Sequence, residues 1–346
     1  MIITRLSVTH VRSHTQKTID LSPQTTVITG KNGIGKTTLL EAVYIALQGS
    51  SFKGSDIEVL QQESPWYRID ILMNDNTSRS VMFDPSKTSG KKRFVVNDTI
   101  SYRLRAKDKY PVVLFEPEDL RLLHGSPARR RQFIDRFIAQ IDPSYSATLR
   151  KYERALKQRN TLLKKEVITN DDLFVWNVAL SEYGAEIVEK RVYAIELINK
   201  ELNDYYHDIA HTTDVVTAHY SNTTIDHSSQ KLLHELESKL AYDRVVKHTS
   251  VGPHRHDVIF HFNNSPALSV ASRGEVRSIM LALKKIEFSL IANITGKRPI
   301  ILLDDVFSEL DEMRQRSIAE QFHEAQVIVS SVVDSNNETP KVINLL

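Results

Sequence analysis

Nine residues near the start of the chain, Gly30-Lys31-Asn32-Gly33-Ile34-Gly35-Lys36-Thr37-Thr38, combine glycines, a lysine and hydroxyls at the spacing G-x-x-x-x-G-K-[ST]. Each residue type has a task toward a phosphate. Gly30, Gly33 and Gly35 let the backbone enter φ > 0, so that its N–H groups can close around phosphate oxygens. Lys36 is placed to neutralise the β- and γ-phosphates, and the Thr37 hydroxyl to meet Mg²⁺. The chemistry implied is binding of a nucleoside triphosphate with its metal ion. The other half of such a site is an acidic strand end, and the candidate is Ile300-Ile301-Leu302-Leu303-Asp304-Asp305. There Asp304 can reach the metal held by Thr37, and Asp305 can orient or deprotonate an attacking water. Lys36 and Asp304 are 268 positions apart, so most of the chain is inserted between the two halves of one site.

The elements that must position these groups can be read around them. Thr26-Val27-Ile28-Thr29 before the loop is a strand pattern, and Thr38 to Tyr44 after it a helix. The phosphate is thereby expected at a helix N-terminus, where N–H groups and dipole favour an anion. Residues 1–30 and about 66–115 read as β, with Trp66 to Met73 as one strand and Val112-Val113-Leu114-Phe115 closing the block. Ser126-Pro127 then signals a helix start. Helices are expected to about Asp142, from Pro143 to about Lys165, and from Asp171 to about Ile209. In the last, Leu173, Trp176, Leu180, Tyr183 and Ile187 mark one buried face. Strands resume at Asp214–Tyr220 and His256–Phe262. The expected organisation is a split α/β domain, residues 1–115 and 245–346, with a mainly helical insertion at 116–244 whose helices are too short for a long coiled-coil arm.

Composition sets the outer limits. Of 346 residues, 41% are hydrophobic and 25% charged, with no cysteine. That pattern fits a globular protein, removes disulfides and Cys-ligated metal centres, and suits a reducing cytoplasm. No apolar run approaches membrane-span length, and no signal peptide is expected at the start. A net charge of +2 leaves any nucleic-acid binding to local patches. The candidates are Lys87, Lys91, Lys92 and Arg93 in a β-loop, and Arg129, Arg130 and Arg131 on a helix. Three consecutive arginines cannot share a helix face, so at least one is expected to pair with an acid such as Asp135. His254, His256 and His261 lack a third ligand at metal-site spacing and read as structural.

Further motifs carry a family resemblance. Ser272-Arg273-Gly274-Glu275 precedes a helix from Val276 to about Ile294 and looks like the ABC-type signature. Ser308-Glu309-Leu310-Asp311 looks like the D-loop, with Ser308 and Asp311 lining the same interface. Together with Phe115-Glu116-Pro117-Glu118-Asp119-Leu120, Gly125-Ser126-Pro127-Ala128-Arg129-Arg130-Arg131, Gln158-Arg159-Asn160, Val251-Gly252-Pro253-His254-Arg255 and Asp304-Asp305-Val306, these resemble the RecF family, SMC-like ABC-type ATPases of bacterial recombinational repair.

The resemblance implies an ABC-type P-loop ATPase head, a mixed sheet with helices, carrying an inserted α-helical lobe. It implies a cytoplasmic protein that binds ATP and Mg²⁺, with Arg12 of Val11-Arg12-Ser13-His14 near phosphate. It implies a homodimer formed with ATP, in which Ser272, Gly274 and Glu275 act in trans. It also implies binding to single-stranded or gapped DNA, RecO and RecR as partners, and a part in recombinase loading and SOS induction. Arg273 and Glu275 stand where the family commonly has glutamines, and Val329-Ser330-Ser331-Val332 lacks a switch histidine, so slow hydrolysis is expected. The alternative is an ATP-sensing scaffold in genome defence or signalling, without intrinsic DNA affinity. The residues after Asp311 are expected to be too few for a nuclease domain.

Overall fold

The computed structural model describes residues 1–167, 169–221, 228–306, 310, 312–331 and 341–345. In chain order the strands are β1 (Ile3–Val11), β2 (His14–Asp20), β3 (Thr25–Thr29), β4 (Tyr67–Met73), β5 (Ser78–Phe83), β6 (Lys92–Val96), β7 (Thr99–Ser101), β8 (Val112–Phe115), β9 (Val216–Tyr220), β10 (Val258–Phe262), β11 (Ser265–Pro266), β12 (Ile300–Asp304), β13 (Val327–Ser331) and β14 (Lys341–Asn344). The helices are α1 (Lys36–Gln48), α2 (Asp56–Val59), α3 (Pro127–Ile141), α4 (Tyr145–Leu162), α5 (Asn170–Ala210), α6 (Ser229–Ser238), α7 (Leu240–Val246), α8 (Ala267–Val270), α9 (Arg273–Thr295) and α10 (Glu312–Gln321). Contacts divide the chain into two compact units, Met1–Asp119 with Glu287–Leu346, and Leu120–Ile286. Residues 245–286, read from the sequence with the ATPase half, cluster in the second unit, where β10 pairs antiparallel with β9.

The first unit holds two sheets of different character. One is antiparallel, in the order β2-β1-β4-β5-β6-β7. Its strands alternate, as β4 does with Tyr67, Ile69, Ile71 and Met73 inward, because only one face is covered. The other is parallel, in the order β14-β3-β13-β12-β8. Two of its neighbouring strands, β12 and the edge strand β8, are near-continuous apolar runs, IILLD and VVLF, buried at every position as strands covered on both faces must be.

Helix α1 is apolar all round and packs against strands of both sheets, including β1, β4, β12 and β13. Leu39, Leu40, Val43, Ile45 and Leu47 are each at most 1% exposed and join one core with Ile69, Val112, Leu302 and Ile328. Each such side chain contributes roughly 1.5–3 kcal/mol of burial. This clamp fixes the helix whose first turn follows the glycine loop.

The second unit is built around α5, which at roughly 1.5 Å per residue is about 60 Å long. Its 41 residues exceed the expected length at both ends by only a residue or so. A capping box between Thr169 and Asp172 starts it, and His211 in the left-handed region ends it. The buried seam runs through Leu173, Asn177, Leu180, Gly184 and Ile187, with Trp176 and Tyr183 half-buried beside it. Its packing partners are α3, α4, α6 and β9.

Arginines order this unit from inside. Arg159, fully buried, bonds Asp243, Asn177 and Thr249 at 2.7–2.8 Å. Arg191 forms a two-pronged pair with Asp135 at 2.8 Å and reaches the Pro253 carbonyl. Removing one partner of such a pair strands a buried charge, at a cost of about 3–5 kcal/mol.

The 251–257 segment is bound into this network. The Thr249 carbonyl accepts from His254 Nε2 at 3.1 Å, so Nδ1 carries the lone pair and accepts from the Tyr152 hydroxyl at 2.6 Å. This wiring suits the neutral ring, and burial pushes the His254 pKa down to about 4. The unfolded histidine titrates near 6.5 and so binds more protons than the folded one between those values. Stability therefore falls as pH falls from about 6.5 to about 4, by roughly 3 kcal/mol from this residue. Urea unfolding of wild type and His254→Gln at pH 7 and pH 4.5 checks this. The expected result is an acid loss about 2.5 kcal/mol larger in wild type.

Candidate nucleotide-binding site

Strand β3 delivers the chain into the loop at Gly30, and α1 begins at Lys36, as the spacing implies. Gly35, at φ 103°, is the residue before the helix. A Cβ there would lie 2.4 Å from both Ser13 Oγ and His14 Nε2. The two-residue turn between β1 and β2 thus presses against the loop, and His14 Nε2 donates to the Gly35 carbonyl at 3.1 Å. At the other end, Leu345 donates its N–H to the Thr29 carbonyl at 2.8 Å. A Cβ on Gly30 would meet the Leu345 carbonyl at 2.8 Å. The loop is therefore braced on both sides by chain remote in sequence.

Within the loop, Lys31, Asn32 and Gly33 face solvent, while Lys36 is 4% exposed. The Lys36 ammonium donates to the carbonyls of Gly30, at 2.8 Å, and Lys31, at 3.2 Å. These bonds arch the lysine over the loop, where a phosphate chain would be gripped. Ile34 packs on the core, and Thr38 is buried under the first turn of α1.

The acidic strand end meets the loop at the C-terminal edge of the parallel sheet, where ligands of α/β sheets bind. Only β13 separates β3 from β12, with Ser330 in register with Asp304 and Ser331 with Thr29. Thr37 Oγ1 donates to Asp304 Oδ1 at 2.5 Å, and Ser330 Oγ donates to the same oxygen at 2.9 Å. The Asp305 N–H donates to Ser330 Oγ at 2.9 Å. One serine on the intervening strand thus ties both aspartates together. Asp305 adopts φ 51°, in the left-handed region, which turns its side chain out of the strand alternation. Burial lifts the Asp305 carboxyl above the ordinary range and Asp304 adds to this, while Lys36 and Lys53 pull it back. Asp304 Oδ2 is paired with Lys53 at 3.1 Å. Ser330 entered the sequence reading only as part of a segment without histidine, and Lys53 carried no signal at all.

Arg12, expected near phosphate, is committed to a carboxylate. It lies in the β1–β2 turn at φ 46° and forms a two-pronged pair with Glu41, at 2.5 and 2.8 Å. Glu41 is fully buried on α1 and also accepts from Ser51 Oγ at 2.5 Å. Two of the five guanidinium N–H donors are spent on Glu41. The pair fixes the turn that braces Gly35.

In the second unit Ser272 and Glu275 cap the start of α9. The Ser272 N–H donates to Glu275 Oε2 at 2.6 Å, and the Glu275 N–H to Ser272 Oγ at 3.3 Å. Gly274 lies in the same first turn. Ser308 and Asp311 lie outside the described residues.

The basic clusters divide. Lys87 and Lys91 are exposed, Lys92 pairs with Asp56, and Arg93 and Arg129 are half-buried. Arg130 is not a surface cation. It is 9% exposed, forms a two-pronged pair with Asp257 at 2.7–2.8 Å, and donates to the carbonyls of Gly125 and Leu123. Arg131 donates to the His256 carbonyl at 2.6 Å. The acid expected to pair with this run, Asp135, instead holds Arg191, since tertiary packing brings Asp257 to Arg130. Among the described residues no group of three or more His, Cys, Asp or Glu could hold a metal.

A family model described as an AAA domain matches residues 5–241. The chain is 34% identical over 343 residues to the DNA replication and repair protein RecF of Streptococcus agalactiae serotype V, covering 94% of this chain and 89% of that protein. It is 37% identical over 328 residues to RecF of Streptococcus suis strain 05ZYH33, covering 92% and 89%. Among solved structures it is similar to the recombination mediator protein RecF-ATPrS in the RecFOR pathway. That match has a TM-score of 0.88 and 28% identity, over 99% of this chain and 95% of that one. An Smc head bound to the C-winged helix domain of ScpA, at TM-score 0.53 and 15% identity over 96% and 90%, shares the fold.

The Arg12–Glu41 pair makes a measurable distinction. Were Arg12 only a phosphate contact, its removal would leave the free protein as stable as before. The geometry instead predicts that Arg12→Ala, by stranding a buried carboxylate, destabilises the nucleotide-free protein by about 3 kcal/mol in urea unfolding.

Proposed function

The chain belongs to the RecF family, SMC-like ABC-type ATPases, and from that premise we propose that it is an ATP-dependent DNA-binding protein of recombinational repair and replication. The observation that carries this reading is the convergence of Thr37, Asp304, Ser330 and Asp305 on one sheet edge beside the glycine loop. The family relatives are named for replication and repair, and a RecF with ATP has the same fold.

The site's donors fit the ligands. Thr37 Oγ1 and Asp304 Oδ1, 2.5 Å apart, are hard oxygen donors of the kind Mg²⁺ takes, leaving its other positions to water and phosphate. Bound there, Mg²⁺ would neutralise charge on the β- and γ-phosphates. In this reading Gly30, Gly33 and Gly35 supply the cradle, with Lys31, Asn32 and Ile34 shaping its rim. Lys36 grips the phosphates, and Thr38 anchors the helix start. Asp305 orients the water that attacks the γ-phosphate. Its carboxyl, raised by burial, is suited to accept a proton.

Two copies would close on two nucleotides, with Ser272, Gly274 and Glu275 of one facing Lys36 of the other, and Ser308 and Asp311 near the junction. A ligand bound by both surfaces at once favours the associated state by mass action. Glu275 places negative charge on that surface, which favours slow hydrolysis and makes ATP a switch for association. DNA, single-stranded or gapped, is the proposed substrate, with RecO and RecR as partners in the cytoplasm. Lys91, Lys92, Arg93 and Arg129 are the candidate contacts; Arg130 is withdrawn. Among the described residues no helix is long and apolar enough to cross a membrane.

Sedimentation with and without ATP tests the switch. Wild type is expected to shift to dimer with Mg–ATP, and Ser272→Arg to remain monomer while still binding nucleotide. A Ser272→Arg protein that dimerises as wild type does rules out the signature in trans. A gel shift on gapped DNA, at stated salt because affinity is salt-dependent, should show binding that requires ATP. Its absence at physiological salt would leave a nucleotide-sensing scaffold.

A further inference from the structure

Lys53 lies between α1 and α2, and the structure gives it a position that no motif accounts for. Its ammonium is 3.1 Å from Asp304 Oδ2. The two oxygens of Asp304 are thus divided. Oδ1 takes the hydroxyls of Thr37 and Ser330, while Oδ2 takes a cation. The Asp304 side chain is 4% exposed and that of Lys53 38%, so the acid is fixed in the sheet while the base reaches it from solvent.

The backbone under Lys53 is anchored. Ser51 Oγ accepts the N–H groups of Lys53, at 2.8 Å, and Gly54, at 3.0 Å, while donating to Glu41 Oε1 at 2.5 Å. Glu41 in turn holds Arg12. The lysine is therefore hung from the same buried carboxylate that braces the glycine loop, with its flexible stem directed at the acidic strand end.

A divalent ion entering beside Thr37 and Asp304 demands near-octahedral oxygen ligation at roughly 2.0–2.1 Å. An ammonium and such an ion on one carboxylate repel each other. The ammonium sits on a flexible four-carbon stem and can withdraw, whereas the buried acid cannot. We propose that Lys53 is an exchangeable cation of the nucleotide site: it competes with the divalent metal ion for Asp304 Oδ2, and so sets the metal concentration at which nucleotide is captured. The inference rests on the reading of Gly30–Thr38 and Asp304 as an ATP–Mg²⁺ site. In that role Lys53 positions Asp304 against Thr37 and touches no reacting atom.

The test is binding, not turnover. A fluorescent ATP analogue is held at fixed concentration and titrated with MgCl₂ for wild type, Lys53→Met, Lys53→Gln and Lys53→Arg. The expected result is a metal midpoint about tenfold lower for Lys53→Met and Lys53→Gln, equivalent to about 1.4 kcal/mol. Lys53→Arg, which keeps the charge, should stay near wild type. In a parallel thermal melt without nucleotide, Lys53→Met should unfold at lower temperature in EDTA and regain much of the difference in Mg²⁺. Circular dichroism confirms that each variant is folded, and the two neutral variants are independent of one another. An unchanged or higher midpoint in both neutral variants, with wild type binding normally, overturns this inference alone. Failure of wild type to bind the analogue at any Mg²⁺ concentration overturns the ATP reading and this inference with it.

Discussion

A carboxylate buried at the end of a parallel strand must be matched by donors and cations, and the matching of Asp304 organises the first unit. At 3% exposure it cannot rely on water. Its partners come from three parts of the chain outside β12: Thr37 at the start of α1, Ser330 at the end of β13 and Lys53 beyond α1. Satisfying that one group brings the glycine loop, the acidic strand and the intervening strand into a fixed relation. The apolar clamp around α1 holds the loop's helix while these polar bonds are made. An isolated buried acid would be a liability; here two hydroxyls and an ammonium surround it, and the oxygen donors so assembled are of the kind a divalent metal ion takes.

A second buried carboxylate, Glu41, repeats the device one turn further along α1. It holds Arg12 and Ser51, and through them the turn against Gly35 and the segment carrying Lys53. The loop's shape is therefore owed to side chains outside the nine-residue motif. The second unit uses the same physics for a different end. Arg130, Arg159 and Arg191 are paired inside it, and they specify packing between helices and the β9–β10 pair. Buried charge in one unit makes a site, and in the other it makes an architecture.

What could be read from the sequence followed what is local. A continuous apolar run located β8 at Val112–Phe115, helical periodicity located nearly all of α5, and the glycine spacing located the strand-loop-helix junction. The apolar run ending in Asp304-Asp305 marked a strand end because such a strand is buried on both faces. Pairs separated by tens or hundreds of positions left no local trace. Arg130 reads as part of a solvated basic run, yet its partner Asp257 is 127 positions away. Ser330 becomes legible only once β13 is known to lie between β3 and β12, because its register with Asp304 is a property of the sheet. Lys53 sits in a loop with neither period nor motif. Arg12 was located near the loop, but its commitment to Glu41 could not be read, since an acid on an otherwise apolar helix has no visible partner in one dimension.

The central claim is that loop and acidic strand form one metal-assisted ATP site. Titration calorimetry of ATP binding with and without Mg²⁺, on wild type and Asp304→Asn, addresses it most directly. The account predicts that Mg²⁺ tightens binding to wild type by about tenfold or more, or about 1.4 kcal/mol, and that Asp304→Asn loses most of this gain while still binding ATP without metal. An equal gain from Mg²⁺ in both proteins would contradict it.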